Sequence, residues 1–326
     1  MHVLLRGNGD FTESQYSAVM SGEDERHFML SLGLTTSPGC NMRCVYCYNE
    51  GGTREAGRKI TSPMTWPDYE KTIREAAQLG AQSVIVVGIG ETMMDKHFKK
   101  IIVQAHESGL IPLIFTNGSL IDRDMAQFLY EHETTVYFAL DSTREDTFNR
   151  ITRTRGLFPA VMKGIDHCLE AGMGRISMRN GHKVTDLAIN AMVMSLNAPH
   201  IEEIEAFCHE KGVLFTCRFP EKLGTAPAYW QDVIASAPDE EEALKKVADR
   251  YSLGGEVFRT DEGCLFWIAG ILLGIDGEAR LCYSRNNQKR IGNIRTDSLR
   301  DIIRMKRDAY PPARNYFCPL HAELGP

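Results

Sequence analysis

Short apolar runs alternate with longer amphipathic stretches from about residue 28 to about residue 219. A short apolar run predicts a buried strand, and apolar residues that recur every three or four positions predict a helix with one buried face. Their regular alternation predicts βα units arranged around a parallel sheet. The predicted strands are Phe28–Thr36, Ser83–Gly88, Ile111–Thr116, Val136–Leu140, Ala188–Leu196 and Val213–Phe219.

Helices are predicted between these strands, and a glycine follows four of them, as is common at helix C-termini. The whole pattern predicts an α/β fold, an open (β/α)6 partial TIM barrel. Alternation along the last strand turns Arg218 towards the barrel interior and Cys217 towards the helices. The predicted helices are Trp66–Leu79, Lys96–Ser108, Asp122–Glu131, Phe158–Glu170 and Ile201–Lys211.

The remaining segments lack this periodicity. The first 27 residues are too few for a separate domain, and the run PEKLGTAPAYWQD is typical of a loop. The run DEEEALKKVADRY predicts a charged helix that bridges to a second domain. We therefore predict an N-terminal extension at 1–27, a core barrel at 28–220, a linker at 221–262 and a small C-terminal domain at 263–326.

Composition favours a soluble enzyme, with 43% hydrophobic and 25% charged residues. A net charge of −6 gives no general attraction to nucleic acid or to anionic membranes. The sequence shows neither an apolar stretch long enough to span a membrane nor a signal peptide at its start. Nine cysteines in such a chain favour metal or redox use over disulfides, and we expect a cytoplasmic protein.

Three of those cysteines, Cys40, Cys44 and Cys47, stand in the run CNMRCVYCY with the spacing C-x3-C-x2-C. Three thiolates at this spacing can hold three irons of a four-iron four-sulfur (4Fe–4S) cluster and leave the fourth iron open. The alternative is a partial zinc site, since Cys44 and Cys47 form a C-x2-C pair. A structural zinc site usually has a second such pair, and the sequence contains none.

This run strongly resembles the radical AdoMet (radical SAM) superfamily. The resemblance implies that S-adenosylmethionine (AdoMet) chelates the open iron and that one-electron reduction releases methionine and a 5′-deoxyadenosyl radical. That radical abstracts hydrogen from substrate. The resemblance also places Tyr46 against adenine and implies flavodoxin or ferredoxin as reductant.

Further runs resemble strand ends of that family at which AdoMet binds. The run VVGIGETMM resembles its GGE motif, although Ile89 interrupts the glycines and Thr92 replaces a usual proline. For the other candidates, helix capping, a tight turn or a solvated helix face are alternative explanations. The implied AdoMet contacts are Gly88, Gly90, Glu91, Thr116, Asn117, Asp141, Ser142, Arg153, Ser195 and Asn197.

The C-terminal spacing Cys-x12-Gly-x4-Cys, with Cys264, Gly277 and Cys282, resembles the opening of a SPASM or Twitch domain. Asp-Gly is a favoured hairpin turn, so a β-hairpin is predicted here. The resemblance implies a Twitch-like domain of hairpin and helix with one auxiliary 4Fe–4S cluster, and adds Cys318 as a ligand. His321 is either the fourth ligand or leaves that iron open. Alternatively, these cysteines are small buried hydrophobic residues.

Three cysteines are left over. Cys168 and Cys208 fall on the apolar faces of predicted helices and are expected in the core. Cys217 is a candidate hydrogen donor to a substrate radical, although its predicted face favours the core. Arg218 is a candidate substrate contact for a carboxylate or phosphate.

The sequence thus predicts a radical AdoMet enzyme acting on a small polar metabolite, such as a sugar, aminocyclitol or nucleoside. An auxiliary cluster that accepts an electron predicts dehydrogenation, and a thiol that returns hydrogen predicts epimerisation. One alternative is a peptide maturase, although about 27 residues before the first strand are few for a peptide-recognition domain. Another is a non-catalytic iron–sulfur electron carrier. The molybdenum-cofactor branch is disfavoured because a C-terminal Cys-x2-Cys pair is missing.

Overall fold

The computed structural model describes residues 3–36, 39–49, 62–251, 259–260, 263–264, 270–281 and 290–309. The strands within these residues are β1 (Val3–Leu5), β2 (Ser31–Thr36), β3 (Ser83–Gly88), β4 (Ile111–Thr116), β5 (Thr135–Ala139), β6 (Ser177–Arg179), β7 (His182–Thr185), β8 (Leu187–Met192), β9 (Leu214–Arg218), β10 (Arg259–Thr260), β11 (Gly263–Cys264), β12 (Gly270–Leu273), β13 (Glu278–Arg280) and β14 (Arg290–Asn293). The α-helices are α1 (Glu13–Ser21), α2 (Trp66–Gln78), α3 (Phe98–Glu107), α4 (Arg123–Glu131), α5 (Glu145–Thr152), α6 (Phe158–Ala171), α7 (Ile201–Lys211), α8 (Ala226–Tyr229), α9 (Pro238–Arg250) and α10 (Leu299–Ala309).

One large sheet of nine strands runs in the order β14-β13-β12-β2-β3-β4-β5-β8-β9. Its members from β12 to β9 are parallel, and β13 and β14 are antiparallel at one edge. The six predicted core strands are β2, β3, β4, β5, β8 and β9, with helices between them, so the predicted open (β/α)6 partial barrel is confirmed. None of the helices in the described residues is both long and apolar enough to cross a membrane.

Most predicted boundaries lie close to the observed ones. The strands Ser83–Gly88 and Ile111–Thr116 and the helix Ile201–Lys211 match at both ends. The predicted strand Ala188–Leu196 is too long, because β8 ends at Met192. The Asn197 side chain there binds the backbone of Met192 and Met194 and turns the chain.

The faces of the strands follow the predicted alternation. Leu32, Val136 and Phe138 point to the helices and are fully buried in the main core. Tyr137 points the other way, into the barrel interior with Leu113 and its neighbours. Side chains on the inward face are therefore the ones available to a ligand inside the barrel.

The N-terminal residues are more ordered than their weak periodicity predicted. Thr12 and Gln15 form a capping box that starts α1, and this helix buries Tyr16 and Val19 against Leu30. Strand β1 joins β7 and β6 in a small sheet. Its residue Leu5 is 1% exposed and closes the amino end of the barrel from inside.

The run PEKLGTAPAYWQD is not the loop that its composition predicted. It contains α8 and a π-helix at Trp230–Ile234. Trp230 and Ile234 are buried against Val45 and Ile151. The contacts that order this segment are therefore tertiary, and a local pattern does not reveal them.

The predicted C-terminal hairpin is present, with β12 and β13 paired around a turn at Gly277, whose φ is +79°. Strand β12 also pairs in parallel with β2, so the hairpin extends the main sheet. The predicted charged helix is α9, which buries Leu244 and Ala248 in the main core. The domain boundaries stay a prediction.

An ion pair between the buried Asp10 and the partly exposed Arg179 fastens the small sheet. The Asp10 side chain is 0% exposed, and its carboxylate accepts from Arg179 at 2.8 Å and from the Gly7 N–H at 2.9 Å. Asp10→Ala leaves both donors without this partner, so we expect the free energy of unfolding to fall by about 2–3 kcal/mol. Denaturant unfolding measures it. Glu242→Ala removes an exposed pair with Lys246 and should change little; equal effects of the two variants would contradict the prediction.

Candidate active site

The three cysteines of the C-x3-C-x2-C run lie on residues 39–49, called the cysteine loop below. This loop follows β2 and crosses the carboxyl ends of its neighbours in the sheet, where parallel sheets place ligands. Asn41 accepts a hydrogen bond from Asn117 after β4 at 2.8 Å. Tyr46 donates to Asp141 after β5 at 2.6 Å. The loop is therefore tied to two strand ends through side chains.

A close backbone contact ties the loop to β3. The Glu91 N–H donates to the carbonyl oxygen of Gly39 at 2.8 Å. A Cβ atom on Gly90 would lie 2.0 Å from that oxygen, and a Cβ atom on Gly88 would lie 2.3 Å from the Gly90 oxygen. Any larger residue at Gly88 or Gly90 would clash with these oxygens, so both positions of the predicted GGE-like run require glycine. Ile89 between them does not disturb this contact.

Helix α5 holds the opposite side of the loop. The Arg43 N–H donates to the Thr152 carbonyl at 2.9 Å, and the Val45 N–H donates to the Ile151 carbonyl at 2.9 Å. These carbonyls are among the last of α5 and lack partners within the helix. The helix end thus fixes the loop backbone between the first and third cysteines.

The Cys40 and Cys44 thiols sit in surroundings that disfavour their thiolate form. Burial raises the pKa of Cys40 and raises the pKa of Cys44 well above its usual value, and the charge of Cys47 adds to both shifts. The three thiols are therefore close enough to repel one another as thiolates. Two sulfur atoms accept hydrogen bonds from the backbone. The Met42 N–H donates to Cys40 Sγ at 3.4 Å, and the Asn49 N–H donates to Cys47 Sγ at 3.4 Å.

Two buried carboxyl groups add to this negative charge. After burial itself, Asp141 raises the pKa of Cys44, and Glu91 contributes to the raised pKa of Cys40. A cationic occupant offsets such repulsion, which fits an iron–sulfur cluster with AdoMet, whose sulfonium and ammonium groups are positive. Among the described residues, no three His, Cys, Asp or Glu side chains are grouped so that they could hold a metal ion. A four-iron cluster instead takes one thiolate at each of three irons.

Glu91, Thr116 and Asn117 form one hydrogen-bonded group at the ends of β3 and β4. The Glu91 carboxylate accepts from the Thr116 hydroxyl at 2.7 Å and from the Asn117 N–H at 2.8 Å. Burial raises the pKa of Glu91 even though these bonds oppose the shift. The carboxylate is thus held in one orientation beside the cysteine loop.

Asp141 and Asn197 are also brought together. Asp141 accepts from Tyr46 and, at 2.7 Å, from the Met192 N–H. Asn197 is 0% exposed and donates to the carbonyls of Asp141 and Met192, both at 2.8 Å. Its side chain binds backbone groups, so Asn197 positions Asp141, and the predicted direct contact with AdoMet is not supported.

Three other candidates are bound elsewhere. Ser142 is 1% exposed, and its hydroxyl accepts from the Arg144 N–H at 3.0 Å in the turn before α5. The Ser195 hydroxyl lies 3.0 Å from the Ile234 carbonyl oxygen and 2.8 Å from Glu240 of α9. Arg153 is exposed and lies 5.0 Å from the Tyr229 ring centroid. Neither serine caps a helix through its side chain, and the AdoMet contacts of all three residues stay predictions.

The inward face of the last strands carries a polar group. Thr216 and Tyr137 are hydrogen-bonded, and both lie within reach of the Asn190 side chain. Burial raises the pKa of Tyr137, and the nearby Arg218 opposes this through its charge and a hydrogen bond. The predicted inward direction of Arg218 is therefore consistent with its contacts.

Cys217 does not face this space. Cys217 is 0% exposed and lies in the helix-facing core. Cys168 and Cys208 lie in the same core and are 0% and 1% exposed. Burial raises the pKa of Cys217 to about 12. This position matches the face that the sequence predicted for Cys217, whereas the neighbouring residues Thr216 and Arg218 occupy the inward face. The role of Cys217 as hydrogen donor stays a prediction that this position counts against.

The proposed auxiliary cluster lies outside the described residues. Cys282, Cys318 and His321 are not among them, and only the backbone of Cys264 is described, in β11. Their roles stay predictions.

Several contributors to the site were not predicted. Asn49 is 0% exposed and donates to the Ile89 carbonyl at 2.8 Å, and Tyr48 donates to the Gly88 carbonyl at 3.0 Å. Asn41 joins the loop to Asn117. All three flank the cysteines in the sequence, and this proximity is the signal that could have found them.

Comparison with known proteins gives a family match. Residues 34–193 match the family model described as Radical SAM superfamily. The chain is 31% identical over 152 residues to Fe-coproporphyrin III synthase of Methanosarcina barkeri, a match that covers 45% of this chain and 36% of that protein. It is 26% identical over 226 residues to a probable GTP 3′,8-cyclase of Methanococcus vannielii, covering 69% of this chain and 68% of the relative. The first of these matches therefore spans about a third of the relative's length.

Solved structures share the fold. SuiB of Streptococcus suis bound to S-adenosylmethionine aligns with a TM-score of 0.62 and 17% identity, over 90% of this chain and 71% of that one. The structure of anSMEcpe with bound AdoMet aligns with a TM-score of 0.58 and 16% identity, over 86% and 82%. At these identities the likeness concerns the fold alone.

The buried Asp141 gives a pH-dependent prediction. Burial raises its pKa from 3.8 to about 6, outweighing the bonds from Tyr46 and Met192. The folded state then binds this proton more tightly than the unfolded state, so stability falls as pH rises between these values. We expect cluster-free wild type to lose about 3 kcal/mol relative to Asp141→Asn between about pH 3 and pH 7. Denaturant titrations across this range measure the difference; a difference independent of pH would contradict the prediction.

Proposed function

We propose that this chain, a member of the radical SAM superfamily through residues 34–193, cleaves AdoMet reductively and abstracts hydrogen from a small, polar, anionic substrate. One observation carries the proposal: the cysteine loop is fastened directly to the strand ends that bear Glu91 and Asp141. An electron carrier needs the thiols but has no use for these buried carboxylates around them.

The residues of the site have separate parts in this function. Cys40, Cys44 and Cys47 hold three irons of the cluster. When bound, the cluster and AdoMet supply a 5′-deoxyadenosyl radical by one-electron reduction, and the difficult chemistry belongs to them. Glu91 attracts the ammonium group of AdoMet. Tyr46 would contact the adenine, with its hydroxyl held by the bond to Asp141.

Arg218 is the proposed substrate contact. It is exposed and lies at the carboxyl end of β9, and it opposes the rise that burial causes in the pKa of the inward-facing Tyr137. A guanidinium suits a carboxylate or a phosphate. Relatives named GTP 3′,8-cyclase have a nucleoside triphosphate in their name, which favours a nucleotide over the predicted sugar or aminocyclitol. A peptide substrate has in its favour a likeness of fold to SuiB and anSMEcpe, both of which have structures with a bound peptide, at 16% sequence identity.

The fate of the substrate radical follows from what lies near it. Cys168, Cys208 and Cys217 lie in the helix-facing core, which counts against epimerisation by these thiols. We favour a two-electron oxidation in which the proposed auxiliary cluster of the Twitch-like domain accepts the second electron. The enzyme then needs a low-potential donor, flavodoxin or ferredoxin, and a reducing compartment such as the cytoplasm.

Release of 5′-deoxyadenosine tests the activity. Reconstituted, reduced wild type should form it from AdoMet, and Cys44→Ala should reduce the rate to background because one iron loses its ligand. Cys208→Ala is the matched control, since that thiol lies in the core. Anaerobic turnover followed by chromatography measures the product. Complete absence of product from the wild type would instead support the electron carrier.

A second assay tests the anionic substrate. We expect nucleotides such as GTP to change the rate of 5′-deoxyadenosine release by the wild type, and the matching neutral nucleosides to have a weaker effect. In Arg218→Ala the response should fall by about tenfold or more, because a charge-assisted contact is worth roughly 1.5–3 kcal/mol. The rate without nucleotide should stay unchanged. Equal responses in both proteins would exclude this role of Arg218.

A further inference from the structure

A segment far along the sequence binds the backbone of the cysteine loop. The Thr225 hydroxyl lies 2.9 Å from the carbonyl oxygen of Cys44, 3.1 Å from that of Val45 and 3.1 Å from that of Cys47. The Thr225 N–H also donates to the Cys47 carbonyl, at 2.9 Å. Thr225 thus lies within hydrogen-bond distance of three carbonyl oxygens of the loop.

The preceding glycine makes this approach possible. Gly224 has a φ of +58°, and a Cβ atom on it would lie 2.2 Å from the Cys47 carbonyl oxygen. Only glycine adopts this conformation easily and fits against the loop. The contact is therefore close along the backbone as well as through the threonine side chain.

The residues that follow fix Thr225 in place. Ala226, Trp230 and Ile234 share a buried apolar cluster with Val45 of the cysteine loop. The Ser195 N–H donates to the Ile234 carbonyl at 2.9 Å, which ties the π-helix to the chain after β8. π-Helices are often found at functional sites. Residues 224–234, called the brace below, thus contact the loop through both polar and apolar groups.

We propose that the brace is a positioning element for the cluster, with Thr225 as its key residue. Its N–H holds the Cys47 carbonyl, and its single hydroxyl proton is shared among the carbonyl oxygens of Cys44, Val45 and Cys47, of which the Cys44 oxygen is nearest. This orientation fixes the backbone between the second and third cysteines, just as α5 fixes the backbone around Arg43 and Val45. The inference rests on the proposed function, because it requires a cluster on these thiols.

The test compares Thr225→Val with Thr225→Ser in anaerobic, cluster-reconstituted protein. Valine keeps the shape and loses the hydroxyl, so we expect iron release to a chelator about tenfold faster. The paramagnetic resonance spectrum of the reduced cluster with AdoMet should also change. Serine restores the hydroxyl and should return both readouts to wild-type values. Thr72→Val is the matched control, because that buried hydroxyl binds only the Asp68 carbonyl of α2.

Each outcome decides the question. Wild-type iron release and spectrum in Thr225→Val would overturn the proposal, and so would equal changes in Thr72→Val. If Thr225→Val does not fold, Gly224→Ala keeps the hydroxyl but displaces the brace from Cys47 and must also release iron faster. Wild type that carries no cluster would overturn the proposed function itself. If the wild type carries its cluster and Thr225→Val has the same iron release and spectrum, only the positioning role is overturned.

Discussion

The backbone contact between Gly39 and Gly90 determines where the rest of the site lies. It brings the cysteine loop against the end of β3, and Glu91 follows directly at 2.8 Å from the loop backbone. Strands β3, β4 and β5 are parallel and paired in register, so their ends lie side by side. The same contact therefore places Asn117 and Asp141 within reach of the loop. A side chain at Gly90 would remove all of these relations together.

The buried acidic groups of this site are unfavourable in their charged form unless a cationic group binds among them. Three thiols and two carboxyl groups meet there, and burial raises the pKa of Cys40, Cys44, Glu91 and Asp141. Burying such groups in their charged form costs free energy unless an opposite charge is present. Metal binding then contributes to the stability of the folded state, because the same ligands are not preorganised in the unfolded chain. A change that weakens the cysteine loop should therefore also weaken cluster binding, and loss of the cluster should destabilise the loop.

The sequence predicted the fold and pointed to the cysteine loop for a physical reason. Buried parallel strands need apolar runs, and a cluster needs thiolates at fixed local spacing, so both leave periodic or short-range patterns. Thr225 has no such pattern, because its partners lie 178–181 positions away in the sequence. Ser195 shows a second limit. Its place after a strand was predictable from the sequence. The hydrogen bond from its hydroxyl to Glu240 was not, because it depends on where the fold places α9.

The barrel interior is graded from apolar to polar, and this grading limits where a substrate can react. Leu5, Leu113 and Tyr137 belong to the apolar cluster that fills the amino end. The Tyr137 hydroxyl meets Thr216 and Asn190 one level higher, and Arg218 follows at the end of β9, beside Met192. Met192 in turn donates its N–H to Asp141 below the cysteine loop. Under the proposed function, a substrate anchored by Arg218 would lie between this polar level and the loop, level with the strand ends that would hold AdoMet. The apolar cluster at the amino end leaves no polar partner for it deeper in the barrel, so the strand ends are where it would react.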